Sequence, residues 1–139
     1  MYPERAVGDG PKRDITERTF AFGVAVIQFC ERLGAKAGAR RTVAGQLIRA
    51  GTSVGANVEE AQGAQGRKDF IAKMLIALKE ARESRYWLRI TSASQIFTDP
   101  ALPTLIQETM ELCNIIAAIV VTARRNADIA ENTPKSKPR

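Results

Sequence analysis

The sequence predicts an all-α protein, an antiparallel four-helix bundle with up-down-up-down connectivity. In four segments the apolar residues recur every three or four positions, which is the spacing of one face of a helix. The connections between these segments are short, so consecutive helices are expected to lie antiparallel. No segment alternates apolar and polar residues for long enough to form a strand, and 139 residues make one domain rather than two.

Composition divides the chain into three parts. Residues 1–13 contain two prolines and two glycines without a periodic apolar pattern, so we expect a flexible N-terminal arm. Residues 14–131 form the predicted bundle. Residues 132–139 contain two prolines and three basic residues but no acid, and we expect a basic, flexible tail there.

The first predicted helix begins at Asp14, whose side chain can cap free backbone N–H groups while Glu17 reaches back from three residues on. Gly34 and Gly38 follow its last apolar residue and terminate it. Its apolar face consists of Ile15, Thr19, Phe22, Val26, Phe29 and Leu33.

The second predicted helix starts near Thr42 and ends at a glycine-rich break, residues 63–66. Gly45, Gly51 and Gly55 lie inside it, and each costs up to about 1 kcal/mol relative to alanine. Close approach of a neighbouring helix is the expected compensation. Its apolar stripe consists of Val43, Leu47, Gly51, Val54, Val58 and Ala61.

The third predicted helix is the longest and runs from Arg67 to about Gln95. Asp99, Pro100 and Pro103 mark the connection to the fourth. The main stripe of the third helix consists of Phe70, Met74, Ala77, Ala81, Ser84 and Leu88, and an adjacent stripe consists of Ile71, Leu75 and Leu78. The stripe of the fourth helix consists of Leu105, Thr109, Leu112, Ile116, Ile119 and Ala123.

Composition also limits the kinds of catalytic and metal-binding site that the chain can form. The chain has no histidine, which removes the usual general base and the usual zinc ligand. We therefore expect no enzymatic activity, no cofactor and no metal. A magnesium site made only of carboxylates is the less favoured alternative, with Glu59, Glu60, Glu80 and Glu83 as its ligands. Cys30 and Cys113 lie on apolar faces, which favours buried, unreactive thiols over a redox pair.

Charge and hydropathy bear on the cellular localisation of the protein and on its attraction to polyanions. No signal peptide opens the chain, and the longest apolar run, residues 112–123, is shorter than the roughly 20 residues that span a membrane. Cytoplasmic localisation without membrane insertion is the resulting expectation. The net charge is +6, but much of it lies near the chain ends, so charge alone predicts only a weak, salt-sensitive attraction to polyanions.

A row of polar residues borders the apolar stripe of the second helix. It consists of Arg49, Ser53, Asn57 and Glu60. One interpretation is a binding site. We favour a structural polar network between the second and third helices, with Glu83 or Arg82 as partner, because half-buried polar groups must be paired.

The third helix carries two further candidate surfaces. Arg82, Arg85 and Arg89 share one face, which is either a phosphate-contacting stripe or, as we favour, a solvated or intersubunit face. In the second case Glu80 and Glu83 would neutralise part of it.

Ile76, Trp87 and Ile90 point nearly opposite to the main apolar stripe of the third helix. A monomer would leave these residues in water as an apolar patch, which soluble monomers usually avoid. The sequence therefore predicts a homo-oligomer with these residues in its interface. Contact between different faces of neighbouring subunits can close into a ring.

The second and third helices carry a specific pattern of residues. It reads Ala50-x-x-Ser53-Val54-x-x-Asn57-Val58-x-Glu60, then Lys68-Asp69-Phe70, Leu75-Ile76-Ala77, Glu80, Glu83 and Tyr86-Trp87-Leu88. This pattern resembles a bacterial four-helix-bundle family whose members include proteins encoded in intervening sequences of large-subunit ribosomal RNA genes. The resemblance covers about residues 15–125. The position after Glu60, usually glycine in that family, is Ala61 in this chain.

The resemblance implies a cytoplasmic bundle that assembles as a ring, typically a pentamer, with no enzymatic activity. The family's biochemical role is generally unassigned. A related protein works beside a reverse transcriptase in diversity-generating retroelements, where a basic ring surface is associated with nucleic acid. The sequence thus leads to an oligomeric accessory scaffold that binds RNA or DNA. A scaffold that binds only protein is the alternative, and an enzyme is the third, least favoured class.

Overall fold

The computed structural model describes residues 11–132, and their side chains from residue 15 onward. Over this range the chain forms four α-helices and no strand, which confirms the predicted all-α fold. Each helix packs against the next, and α4 returns to contact α1, so the helices form an up-down-up-down bundle. The helices are α1 (Pro11–Leu33), α2 (Ala39–Gln62), α3 (Arg67–Ser94) and α4 (Ala101–Asn132).

The ends of the bundle differ from the predicted bounds. α1 begins at Pro11 rather than Asp14, since proline is tolerated in the first turn of a helix. The predicted cap by the Asp14 side chain lies outside the described side chains. Residues 1–10 and 133–139 lie outside the described part of the chain, as do the flexible arm and basic tail predicted there. Asn132, assigned to the tail, is the last residue of α4.

α2 begins at Ala39, before the predicted start near Thr42. Gly38 precedes it with a φ of 98°, a left-handed conformation that favours glycine. The Arg40 guanidinium in the first turn donates to the carbonyl of Leu33, 2.9 Å away, and so caps the end of α1. This contact joins two helices. The apolar periodicity of one helix therefore could not predict the early start of α2.

α4 also begins earlier than predicted, and Pro103 lies inside it rather than in the connection. The Asp99 carboxylate accepts a hydrogen bond from the Ala101 amide at 2.9 Å, and Pro100 follows Asp99 in the position that proline prefers at a helix start. The Asp99 carbonyl, which an amide at residue 103 would otherwise bind, accepts the Leu102 amide at 3.0 Å instead. Proline at 103 therefore loses no hydrogen bond.

The core lies where the four apolar faces meet, and the predicted stripe of α1 is buried along its whole length. The largest fully buried side chains include Phe29, Leu33, Leu47, Met74, Leu88, Leu112 and Ile116. All of these come from the predicted stripes, so three-four periodicity identified the centre of the core. It was less accurate at the edges of the stripes, where Leu75 is exposed and Phe70, Ile119 and Ala123 are only half-buried.

Two glycines of α2 allow α1 to approach closely. A Cβ atom at Gly51 would lie 2.8 Å from Cγ1 of Val26, and one at Gly55 would lie 3.0 Å from the carbonyl oxygen of Thr19. These contacts confirm the compensation expected for two of the three glycines. The space around Gly45 is open, so the expectation is wrong there.

α4 is long and apolar enough to cross a membrane, by length and composition alone. Core helices of soluble bundles meet the same criterion. In this chain α4 packs along α3 and contacts α1.

Candidate nucleic-acid interface

α3 presents different chemistry to its two neighbouring helices. Its buried residues face the core and are Met74, Ala77, Leu78, Ala81, Ser84, Leu88 and Thr91. Residues advance by about 100° per position around a helix. One flank of this buried row therefore carries Lys73, Glu80 and Glu83 and faces α2. The other flank, the arginine face, carries Arg82, Arg85 and Arg89 and lies toward α4.

Ion pairs connect α3 to α2. Arg49 of α2 pairs with Glu83, and its guanidinium also lies 3.5 Å from the Glu80 carboxylate. Nearer the start of α3, the Lys73 ammonium lies 2.9 Å from the Glu60 carboxylate of α2. The hydrogen bond to Glu60 raises the pKa of Lys73. Glu60, Glu80 and Glu83 thus each have a cationic partner on the neighbouring helix.

Two members of the predicted polar network do not bridge the helices. The Ser53 hydroxyl donates to the carbonyl of Arg49 at 2.6 Å, and the Asn57 amide donates to the carbonyl of Ser53 at 2.8 Å. Both bonds stay within α2, because short polar side chains readily reach the carbonyl one turn back. The side-chain links across the seam are instead the ion pairs of Arg49 and Glu60.

The arginine face has no such partners. Within the described part of the chain, Arg82, Arg85 and Arg89 form no ion pair or hydrogen bond, and the Nε of Arg85 is buried without an acceptor. Burial raises the pKa of the Cys113 thiol on α4, and the charges of Arg82 and Arg85 partly oppose that rise, so this face adjoins the α3–α4 seam. Tyr86 follows Arg82 by one helical turn, so it borders this face, and it is 54% exposed.

The acidic residues of α4 do not neutralise these arginines. Glu108 binds Arg18 of α1 at 2.6 Å, and Glu111 lies 3.7 Å from the same guanidinium. Glu80 and Glu83, which we expected to neutralise part of the stripe, bind Arg49 instead. Four carboxylates of α3 and α4 are thus paired with cations on other helices, away from the arginine face.

The predicted interface residues Ile76, Trp87 and Ile90 do not form one exposed patch. Ile76 is 41% exposed, whereas Ile90 is half-buried. Trp87 is also half-buried, packs against the core, and donates its indole N–H to the Glu83 carboxylate at 3.1 Å. The prediction that Trp87 projects from the far side of α3 is wrong, because its ring covers the core and its N–H has an acidic partner in the α2–α3 seam.

Another exposed apolar surface was missed at the sequence level. Phe20 and Ile27 of α1 and Ile48 of α2 are all exposed, Phe20 by 51%. We call these three residues the apolar face; it lies on the α1–α2 side of the bundle, opposite the arginine face. The available signal was the presence of large apolar residues outside the core stripes of both helices.

The cysteines and carboxylates offer little reactive chemistry. Burial, reinforced by the charge of Glu31, raises the pKa of Cys30 to about 12, so its thiol is neutral at physiological pH. Within residues 15–132 no group of three or more Cys, Asp or Glu side chains is arranged to hold a metal ion. Both cysteines in this range are unpaired.

The chain is similar to known proteins over most of its length. Residues 12–118 match the profile of the family described as 23S rRNA-intervening sequence protein. Among solved structures, the fold is similar to a protein of unknown function from the S23 ribosomal protein family of Bacteroides thetaiotaomicron VPI-5482. The two are 30% identical with a TM-score of 0.73, and the match covers 80% of this chain and 98% of that one. No curated protein matches this chain.

Proposed function

Because the chain belongs to the 23S rRNA-intervening sequence protein family, we propose that it is a non-enzymatic, oligomeric scaffold that binds RNA or DNA through the arginine face. One observation carries the proposal: within residues 15–132 three arginines of α3 have no anionic partner, while the neighbouring acids bind cations on other helices. These acids are Glu80, Glu83, Glu108 and Glu111. Guanidinium groups are strong hydrogen-bond donors to phosphate oxygens, so the three arginines can bind phosphates.

The arrangement suits an extended polyanion. Arg82 and Arg89 are separated by about 10 Å along the helix axis, at about 1.5 Å per residue. Contacts from such a row to successive phosphates release bound counterions, so the affinity is expected to fall steeply with salt.

The absence of enzymatic activity is part of the same proposal. The chain has no histidine, and burial keeps the Cys30 thiol protonated. Of the carboxylates once considered for a magnesium site, Glu60, Glu80 and Glu83 each have a cationic partner. These features support a binding role rather than acid–base or nucleophilic catalysis.

The proposed oligomer rests on the apolar side chains that one subunit leaves exposed. Phe20, Ile27 and Ile48 form one surface and Ile76 belongs to another, so neighbouring subunits can meet through different faces and close a ring. Trp87 then lies at the buried edge of the contact rather than at its centre. The proposal of five subunits derives only from the family resemblance. A ring would place several arginine faces on one particle and raise the affinity for a long strand.

We place the protein in the cytoplasm and outside the membrane. α4 turns its buried row, which includes Leu112 and Ile116, toward the core, and its Glu108 pairs with Arg18. A bilayer-spanning α4 would have to give up both interactions.

Nucleic-acid binding is tested by fluorescence anisotropy with labelled RNA and DNA oligonucleotides at about 50 and 200 mM salt. We expect binding that weakens at least tenfold over this range, as several phosphate contacts require. Light scattering on the same samples gives the subunit number. Absence of binding at the lower salt would contradict the nucleic-acid role, and a monomer mass at micromolar concentration would contradict the oligomer.

The alternative is an oligomeric scaffold that binds only protein. The exposed apolar face of α1 and α2 supports it, since such surfaces also receive helical segments of partner proteins. The same anisotropy experiment separates the two functions, because a protein-only scaffold would leave every oligonucleotide unbound.

A further inference from the structure

An exposed aromatic residue borders the arginine face. Tyr86 follows Arg82 by four residues and precedes Arg89 by three, and residues at these spacings are neighbours on a helix surface. The side chain is 54% exposed. Along the helix the order is therefore a cation, an exposed tyrosine and a second cation.

The Tyr86 ring packs against the ring of the next residue. It meets the ring of Trp87 edge-on, with centroids 5.1 Å apart and planes at 76°. Trp87 in turn packs against the core and donates to Glu83, which pairs with Arg49. A ring that is positioned before its ligand arrives loses less conformational freedom on binding.

We infer that the arginine face binds single-stranded nucleic acid, with a base stacked on Tyr86 and the flanking phosphates bound by Arg82 and Arg89. This inference rests on the proposed function and specifies its ligand. The roughly 10 Å between the two arginines corresponds to about three stacked nucleotides. A base on the ring and phosphates on either side fit that length.

The exposed ring distinguishes single strands from duplexes. In a duplex the faces of the bases are covered by their neighbours, and only base edges and the backbone reach a protein surface. A single strand can turn a base face outward, and aromatic side chains bind such faces with little regard for sequence. A duplex would contact the arginines alone.

The neighbouring helix carries an exposed methionine. Met110 of α4 is partly exposed and lies one turn before Cys113, the residue whose pKa senses Arg82 and Arg85. A spacing of three residues places Met110 and Cys113 on the same side of α4. Flexible methionine side chains adapt to irregular apolar surfaces, including the edges of bases and sugars.

The inference is tested by anisotropy with a labelled oligo(U) of about 20 nucleotides and an RNA duplex of the same length. The wild-type protein should bind the single strand more tightly than the duplex. Tyr86→Leu should weaken single-strand binding by about 5- to 100-fold, the range of one lost base–aromatic stack. Tyr86→Phe, which keeps the ring, should restore it. Val121→Ala, at a side chain of α4 that is also 54% exposed and belongs to neither the arginine face nor the apolar face, is the control and should change little.

The outcomes separate this inference from the proposed function. If Tyr86→Leu binds oligo(U) as the wild type does while Arg82→Gln weakens binding, phosphate contacts exist and the stacked base is refuted. Equal affinity of the wild type for single strand and duplex also refutes it. If the wild-type protein binds neither probe at low salt, both proposals fail. Circular dichroism melts of each variant establish that it is folded.

Discussion

The charged side chains on the two flanks of α3 differ in whether they form ion pairs. Toward α2, Glu80 and Glu83 share the Arg49 guanidinium, and the seam is held by ion pairs. Toward α4, Arg82 and Arg85 adjoin the half-buried Cys113 and face no carboxylate within the described chain. Acids and arginines of one helix are thus separated in space although they alternate in sequence. Whether a charged stripe is neutralised depends on the helices beside it.

The arginine face contains a buried hydrogen-bond donor without a partner. The Nε of Arg85 is buried without an acceptor, and an unsatisfied buried donor costs roughly 1–3 kcal/mol. The flank toward α2 shows that the same fold can pair its charges. Unpaired arginines on the other flank are consistent with a ligand that supplies the anions.

The largest difference in stability between the two flanks should appear when two adjacent residues, Tyr86 and Trp87, are replaced. Trp87→Ala should lower the free energy of unfolding by about 2–4 kcal/mol. The substitution removes a half-buried ring that packs against the core, together with its hydrogen bond to Glu83. Tyr86→Ala should change it by no more than about 0.5 kcal/mol, since that side chain is largely exposed. Urea denaturation followed by far-ultraviolet circular dichroism measures both, and equal losses would contradict the assignment of the two rings.

A smaller difference is expected between two arginines. Arg49→Met removes the cation shared by Glu80 and Glu83 and should cost about 1 kcal/mol, as its side chain is half exposed. Arg82→Met, with no ion pair to lose, should leave stability nearly unchanged. The cost at Arg49 should shrink in high salt because the pairs are partly screened. Identical urea midpoints for the two variants would show that the α2 seam does not depend on its ion pairs.

The smallest effect is expected at Arg85. Arg85→Met replaces a guanidinium with a buried, unpaired Nε by an apolar chain of similar length, so stability should stay constant or rise by up to about 1 kcal/mol. Arg89→Met, at an exposed position, is the control and should be neutral. A loss of more than about 1 kcal/mol at Arg85 alone would mean that its guanidinium is satisfied in solution.

Much of the fold was predictable because helical periodicity reports burial directly. The stripe from Ile15 to Leu33 is buried as predicted, and the α3 helix ends one residue from its predicted limit, with Gln95 in a left-handed conformation. The starts of α2 and α4 were placed too late. Arg40 at one start binds a carbonyl of another helix, and the hydrogen bonds around Asp99 make Pro103 harmless at the other.

The candidate site was only partly predictable. The shared face of Arg82, Arg85 and Arg89 follows from their spacing in one helix. Their lack of acidic partners does not, because it depends on Arg49 and Arg18 drawing the carboxylates to other helices. Trp87 was misplaced for a similar reason.

A helical wheel predicts only the direction of each Cα–Cβ bond. A long side chain such as that of Trp87 can bend back over the core. Ser53 and Asn57 do not bridge the helices, because each side chain donates to the carbonyl one turn back in α2.

The most direct test of the arginine face compares two double variants that remove the same charge. Arg82→Gln/Arg89→Gln alters the face, and Lys36→Gln/Arg41→Gln alters exposed residues at the α1–α2 connection. Anisotropy titrations with single-stranded RNA over a salt series should show the first variant at least tenfold weaker, with the salt slope reduced by about two phosphate contacts. The second should keep nearly the wild-type affinity and slope. Equal loss in both variants would show that net charge, and not the arginine face, attracts the nucleic acid.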